Sequence, residues 1–252
     1  MKNEFSIEGK KILVTGAYGG IGRVIFKAFC DKGAQVIGVD IVTKEKFDEE
    51  VGSRAGGKYI EGSVANRENV VSFVSEAAQQ FGDHIDGLVN CAAIAIESKA
   101  ELVSKDDWDK VIAVNLSGLF WCCQEVGKVM IKNGKGGKIV NFSSRCGLIG
   151  YPDYISYNVS KAGVISITKT LAVEWARYNI QINALAPGFL RTEMTRYIWD
   201  NEERLQELLQ RIPAKRIADP EEIVATVLYF CSDASNYVTG VVLPFDGGML
   251  IS

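Results

Sequence analysis

A chain of 252 residues with 47% apolar content can bury a large core without help from metals or disulfides. Its net charge of -3 and pI near 5.4 give no electrostatic case for nucleic acid or an anionic membrane surface. The opening MKNEFSIEGKK has no apolar h-region, and the longest apolar stretch, 111–130, is broken by Asn115, Gln124, Glu125 and Lys128; the expectation is a cytoplasmic protein with neither signal peptide nor membrane span.

Short apolar runs alternate with longer helical ones, with no repeat, low-complexity tract or linker between them. Strands are expected at Lys11–Thr15, Gln35–Val39, Gly57–Glu61, Gly87–Cys91, Lys138–Phe142, Gln181–Ala184 and Val241–Phe245. Their apolar residues run continuously rather than alternating, as in strands buried on both faces. Helical patterns lie at about 21–32, 66–81, 104–132, 155–178, 192–211 and 220–232. This alternation predicts one α/β domain over 1–252, a parallel sheet of about seven strands covered by helices. Asn66 reads as an N-cap, Gly134 as a helix stop, and Asp219-Pro220-Glu221-Glu222 as a capped helix start.

The first strand runs into Thr15-Gly16-Ala17-Tyr18-Gly19-Gly20-Ile21-Gly22, which opens the first helix. Glycines there let the backbone turn tightly and approach a pyrophosphate, which the helix N-terminus stabilises. An ordinary strand-to-helix turn has no use for four glycines. Asp40 ends the second strand, 20 residues past Gly20, where an acid can accept hydrogen bonds from the adenosine ribose. Such an acid repels a 2′-phosphate, and no cation stands at Tyr18, Gly19 or Ile41 to reverse this; Lys44 is the nearby candidate. NAD is therefore the expected cofactor.

Six cysteines, at 30, 91, 122, 123, 146 and 231, show no C-x-x-C spacing and read as buried thiols. The single histidine, His84, excludes paired-His metal centres and reads as a solvated loop residue. Tyr157 and Lys161 stand four residues apart in a helical run and so share a face. A nearby cation lowers a phenol's pKa, which makes the pair a candidate proton-transfer device. The pair Ser143-Ser144 closes an apolar run, with Ser144 13 residues before Tyr157.

Taken together these motifs resemble the short-chain dehydrogenase/reductase family, and the match runs essentially end to end. The resemblance implies a Rossmann-like doubly wound sheet. It implies that Tyr157 and Lys161 are the catalytic core, that Ser144 bonds the substrate oxygen, and that Asn115 supports a water in the proton relay. It further implies that Lys161 holds the nicotinamide ribose. Gly16, Gly20 and Gly22 carry the family's glycine spacing, with Tyr18 and Ile21 in the same turn and Ile41 beside Asp40. Asn90 matches the asparagine of an N-N-A-G motif written here with Cys91, Ala92 and Ala93, so Ala93 adds a methyl beside the ribose. Ser63 replaces an acid before Val64, which contacts adenine. Pro187, Gly188, Leu190 and Thr192 resemble the segment against nicotinamide, and Phe245-Asp246-Gly247-Gly248 the C-terminal strand and turn.

The substrate site is expected in loops at 94–96, 145–146 and 151–154 and in the helix at 192–211. Met194, Tyr197, Ile198 and Trp199 form an apolar stripe that is either lid or core. Arg145 reads first as half of a structural ion pair, with a substrate carboxylate or phosphate as the alternative. The function read from these residues is interconversion of a secondary alcohol and a ketone, on a sugar acid or polyol. A reductase of 3-oxoacyl carrier substrates is the second reading, with Lys128, Lys132, Lys135 and Lys138 free to dock an acidic carrier. A catalytically idle NAD-binding sensor or scaffold is the third. The helices at 104–132 and 155–178 carry more apolar residues than one sheet face can bury, including Leu119, Phe120, Trp121, Val164, Ile167 and Leu171, so a homotetramer is expected.

Overall fold

The computed structural model describes residues 3–252. The strands are β1 (Lys11–Thr15), β2 (Gln35–Asp40), β3 (Gly57–Glu61), β4 (Gly87–Asn90), β5 (Gly137–Phe142), β6 (Ile180–Pro187) and β7 (Val242–Phe245). They form one parallel sheet in the order β3-β2-β1-β4-β5-β6-β7. The helices are α1 (Gly20–Asp31), α2 (Lys44–Glu50), α3 (Arg67–Gln80), α4 (Lys105–Ile112), α5 (Leu119–Asn133), α6 (Ile155–Trp175), α7 (Arg196–Trp199), α8 (Glu202–Arg211) and α9 (Val224–Cys231). Strand order reverses between β1 and β4, and a crevice opens beyond their carboxyl ends.

Side chains alternate across each strand, which splits the core in two. Leu13, Ile37, Leu88, Ile139 and Ile182 meet Phe73 of α3, Val126 of α5 and Val164 of α6 on one face. Ile12, Val14, Val36, Val89 and Val140 meet Phe26 and Phe29 of α1 and Phe230 of α9 on the other. Phe26 packs edge-on to Phe47, with ring centres 5.3 Å apart, and Phe47 stacks on Tyr59 at 4.0 Å. Phe26→Ala empties the hub of this cluster and is expected to lower the free energy of unfolding by about 3–5 kcal/mol. A urea titration checks it; a loss below about 1 kcal/mol would mean that the site collapses around the cavity.

Four expectations need correction. Lys44–Glu50 is helical because Phe47 buries its one apolar side chain and Thr43 accepts from the Lys46 amide, although a single apolar residue leaves no period to read. The helix expected at 104–132 is widened by a π-helical turn at Ala113–Gly118. The helix expected at 192–211 breaks at Asp200-Asn201, where Asn201 caps α8 by accepting from the Arg204 amide. His84 is buried rather than solvated, its Nε2 2.8 Å from Asp86 Oδ1.

The apolar surplus on the long helices is also smaller than their composition suggests. Leu119, Val164 and Leu171 are buried within the chain, and Phe120, Trp121 and Ile167 pack against the same cluster. Gly127 on α5 admits the Trp175 ring so closely that a Cβ there would lie 2.4 Å from it. All six cysteines are free thiols, and Cys91 alone is not buried. No helix among the described residues is long and apolar enough to cross a membrane.

Candidate functional site

The glycine turn is built by close approach. Gly16 takes φ of 69°, and its amide donates to Val39 O at 2.8 Å. A Cβ at Gly22 would stand 2.0 Å from Gly16 O, and one at Gly16 2.6 Å from the Ala92 nitrogen, so both positions require glycine. α1 starts without a side-chain cap and without an acid in its first turn. Its first N–H groups therefore remain available to an anion, and the turn fits a dinucleotide pyrophosphate. A Cβ on Gly20 would touch the Thr192 methyl at 3.0 Å, which puts the nicotinamide-side segment opposite the turn.

Beyond the turn, the Asp40 carboxylate accepts from the Tyr18 amide at 2.9 Å and the Ile41 amide at 2.7 Å. The Tyr18 hydroxyl donates to Glu50 at 2.6 Å, while Arg23 and Lys46 stack on its ring at 4.8 and 5.3 Å. Lys44 is paired with Asp48. Ile41 is exposed, Val64 is buried, and the Ser63 hydroxyl accepts from the Ala65 amide. Asn90 is turned into the sheet: its amide donates to Asn141 at 2.9 Å, and Asn141 donates to Thr168 at 3.0 Å. Ala92 lies against Gly16, and Ala93 lines the cleft.

Gly16, Gly20, Ile21 and Gly22 line one cleft together with Ser144, Tyr157 and Lys161 and with Pro187, Gly188, Leu190 and Thr192. β5 delivers Ser144 at its carboxyl end, and the first two turns of α6 bring Tyr157 and Lys161 onto one face. The Lys161 ammonium lies 5.5 Å from the Tyr157 ring centre and donates to Phe142 O at 2.8 Å. Burial pushes the Tyr157 phenol up to about 12, and a hydrogen bond from Ser144 only partly offsets this. Burial also pushes the Lys161 ammonium down to about 8. The depressed phenol expected from the Tyr-Lys spacing is thus not found in the protein alone, because burial outweighs the Ser144 hydrogen bond and the Arg145 charge that act against it.

Asn115 stands behind the cleft, fully buried. Its side chain accepts from the Ile94 amide at 2.9 Å and donates to Ile94 O at 2.8 Å and to Ser160 at 3.2 Å, bracing the loop after β4. The π-helical turn carries it into that position, a use to which such turns are often put.

The stripe on the 192–199 segment divides. Met194 and Tyr197 face the cleft, whereas Ile198 is buried with Leu208, Ile212 and Met249, and Trp199 packs against them while donating to Thr192 O. Tyr154 joins the two sides of the mouth, donating to Glu97 at 2.9 Å and standing 3.3 Å from the Tyr197 hydroxyl. Phe189 and Cys91 also line the cleft. Phe189 sits inside the matched Pro187–Thr192 segment, so its motif was visible but its contact with the substrate side was not. Lys138 does not reach a surface: it is buried, and its ammonium donates to Asn236 at 2.8 Å.

A parallel sheet with a glycine turn at its topological switch and a Ser-Tyr-Lys cluster across the cleft defines a class of hydride-transfer enzymes. The chain belongs to the short-chain dehydrogenase/reductase family, and a family model described as enoyl-(acyl carrier protein) reductase matches residues 16–250. It is 43% identical over 250 residues to the 3-oxoacyl-[acyl-carrier-protein] reductase of Thermotoga maritima, covering 97% of this chain and 99% of that one. It is 35% identical over 248 residues to the 2-dehydro-3-deoxy-D-gluconate 5-dehydrogenase of Escherichia coli, covering 98% and 97%. Among solved structures it resembles a gluconate 5-dehydrogenase from Burkholderia cenocepacia in complex with NADP and tartrate, at a TM-score of 0.92 and 31% identity, covering 99% and 98%. It is an oxidoreductase of the kind that binds a nicotinamide cofactor and acts on CH–OH groups.

Proposed function

We propose that this protein interconverts a secondary alcohol and a ketone on a small sugar acid or polyol with NAD(H), as a cytoplasmic homotetramer. The observation that carries the reading is the meeting of Ser144, Tyr157 and Lys161 in one cleft opposite the glycine turn. When bound, the cofactor supplies the hydride acceptor or donor. The protein's own groups handle the substrate oxygen: Tyr157 takes its proton during oxidation and returns it during reduction, while Ser144 donates a hydrogen bond to the developing alkoxide. Lys161 supports the phenolate and holds the nicotinamide ribose. Asn115 serves the relay through its main chain, since its amide is committed to Ile94 and Ser160. Gly16, Tyr18, Gly20, Ile21, Gly22, Asp40, Ile41, Ser63, Val64, Asn90, Ala92 and Ala93 form the adenosine and pyrophosphate side, and Pro187, Gly188, Leu190 and Thr192 the nicotinamide side.

Asp40 supports NAD over NADP, because a 2′-phosphate would meet its carboxylate and Lys44 is already paired. NADP in the Burkholderia neighbour makes the point worth measuring. kcat/KM with NAD(H) is expected to exceed that with NADP(H) at least about tenfold, a difference of ~1.4 kcal/mol. Values that are equal or reversed would show that Arg23 or Lys46 swings to the phosphate. A panel of polyols, sugar acids and β-keto esters, read by absorbance with both cofactors, tests the substrate class. The 43% identity to a carrier-protein reductase favours a second reading, reduction of 3-oxoacyl thioesters. Turnover of β-keto esters with NADPH, and none of sugar acids, would select it.

A further inference from the structure

We propose that Arg145 anchors a carboxylate of the substrate, so that the cleft selects an acid over the neutral polyol of the same length; this rests on the oxidoreductase reading above. Arg145 directly follows Ser144, lines the same cleft as Tyr157, and is 2% exposed. Its guanidinium carbon lies 4.4 Å from the Tyr151 ring centre and 4.7 Å from that of Phe189, so an aromatic face covers it on two sides. Neither Nη1 nor Nη2 makes a hydrogen bond among the described residues. The expected structural ion pair is absent. Carboxylates near the mouth are engaged elsewhere, Glu193 with Arg196 and Glu97 with Tyr154.

Ring faces stabilise a cation, but they offer nothing to the N–H groups at its edge. Leaving that edge buried without acceptors is costly, and proteins rarely do so for structure alone. The planar fork matches a carboxylate through two parallel hydrogen bonds. Arg145, Tyr151 and Phe189 all line the cleft, and a carboxylate reaches the guanidinium edge when the side chains over it move aside. Arg145 shares the cleft lining with Ser144 and Tyr157, so one short molecule can meet the anchor and the reacting pair together. A substrate held there carries its carboxylate at one end and its reacting carbon at the Ser144–Tyr157 pair.

The test uses two matched pairs, D-gluconate with sorbitol and tartrate with threitol, which differ in carboxylate against hydroxymethyl. Binding is read as the Tm shift of the NADH-loaded wild type, Arg145→Met and Arg145→Lys, and turnover as kcat/KM where it occurs. The acids are expected to bind wild type about 10²-fold more tightly than their polyols. Arg145→Met should remove that preference while leaving polyol binding within about threefold, and Arg145→Lys should keep part of it. Equal binding of acid and polyol by wild type, or no binding of either acid, overturns the proposal. So does a loss in Arg145→Met that strikes acids and polyols alike, since that marks a structural clamp. Arg145-dependent acid binding without turnover of any panel compound would leave the anchor standing and remove the reading of these sugar acids and polyols as reacting substrates instead.

Discussion

Tyr157→Phe is expected to lower kcat by about 10³-fold while cofactor affinity changes by less than about twofold. The phenyl ring keeps its place in the cleft wall, so packing and the Lys161 contact survive; only the proton donor and acceptor is lost. Burial holds the phenol up to about 12, which means that it is protonated and ready to donate at neutral pH in the reduction direction. Oxidation needs the phenolate, and its rate should climb with pH across the alkaline range. Steady-state kinetics and a fluorescence titration with NADH separate the two effects. Retention of more than a few per cent of wild-type kcat would pass the proton to water or to another group.

Lys161→Met is expected to cost activity and, unlike Tyr157→Phe, to change how stability depends on pH. The Lys161 ammonium is pushed down to about 8 in the folded chain, against an unfolded value of 10.5. Below pH 8 the folded state must keep a buried charge, and this penalises folding. Between pH 8 and 10.5 the unfolded chain binds more protons than the folded one, so the penalty is relieved and stability rises with pH. Tyr157 acts oppositely above pH 10, because the folded phenol holds its proton up to about 12 and folding is weakened as the solution turns more alkaline. The difference in unfolding free energy between wild type and Lys161→Met should therefore shift in favour of wild type from pH 7.5 to 9.5, measured by urea titration at each pH. Lys138, also pushed down to about 8 by burial, is present in both proteins and cancels in the difference. In turnover, the variant should lose about 10²-fold in kcat/KM and bind NAD more weakly, since one ammonium is assigned both the phenolate and the ribose. A flat stability difference across this range would mean that Lys161 is not desolvated as described.

The parts of this molecule that were legible in its sequence are those whose cause lies within a few residues. The glycine turn needs Gly16 and Gly22 for backbone reasons, and the Tyr-x-x-x-Lys spacing fixes a helix face. The five inner strands could be read because continuous apolar runs need two covering layers, whereas the edge strands β3 and β7 keep most of their residues partly or fully exposed. What escaped depends on contacts distant in sequence. Nothing local says that the Asn115 amide will be taken by Ile94, or that the stripe 194–199 will divide between cleft and core. His84 sits between two aspartates and reads as polar loop, yet Asp86 satisfies it inside the fold. Arg145 misled in part for the same reason: a buried arginine ordinarily finds a carboxylate, and of the two rings that took its place Tyr151 is six residues on but Phe189 lies beyond β6.

The wide turn at Ala113–Gly118 absorbs a difference in length without a change of phase. It lets the helix carry one more residue than regular winding would hold before α5 begins. Excising a single residue there would restore ordinary winding and leave α5 near its present phase, whereas excising one from the regular winding at 119–126 would rotate everything downstream by about 100°. Gly127 would then leave the Trp175 ring, and a bulkier neighbour would be driven against it. Length is therefore under tighter constraint between Leu119 and Gly127 than in the wide turn itself: one residue can be lost from 113–118 with α5 kept in phase, and none from the stretch before Gly127.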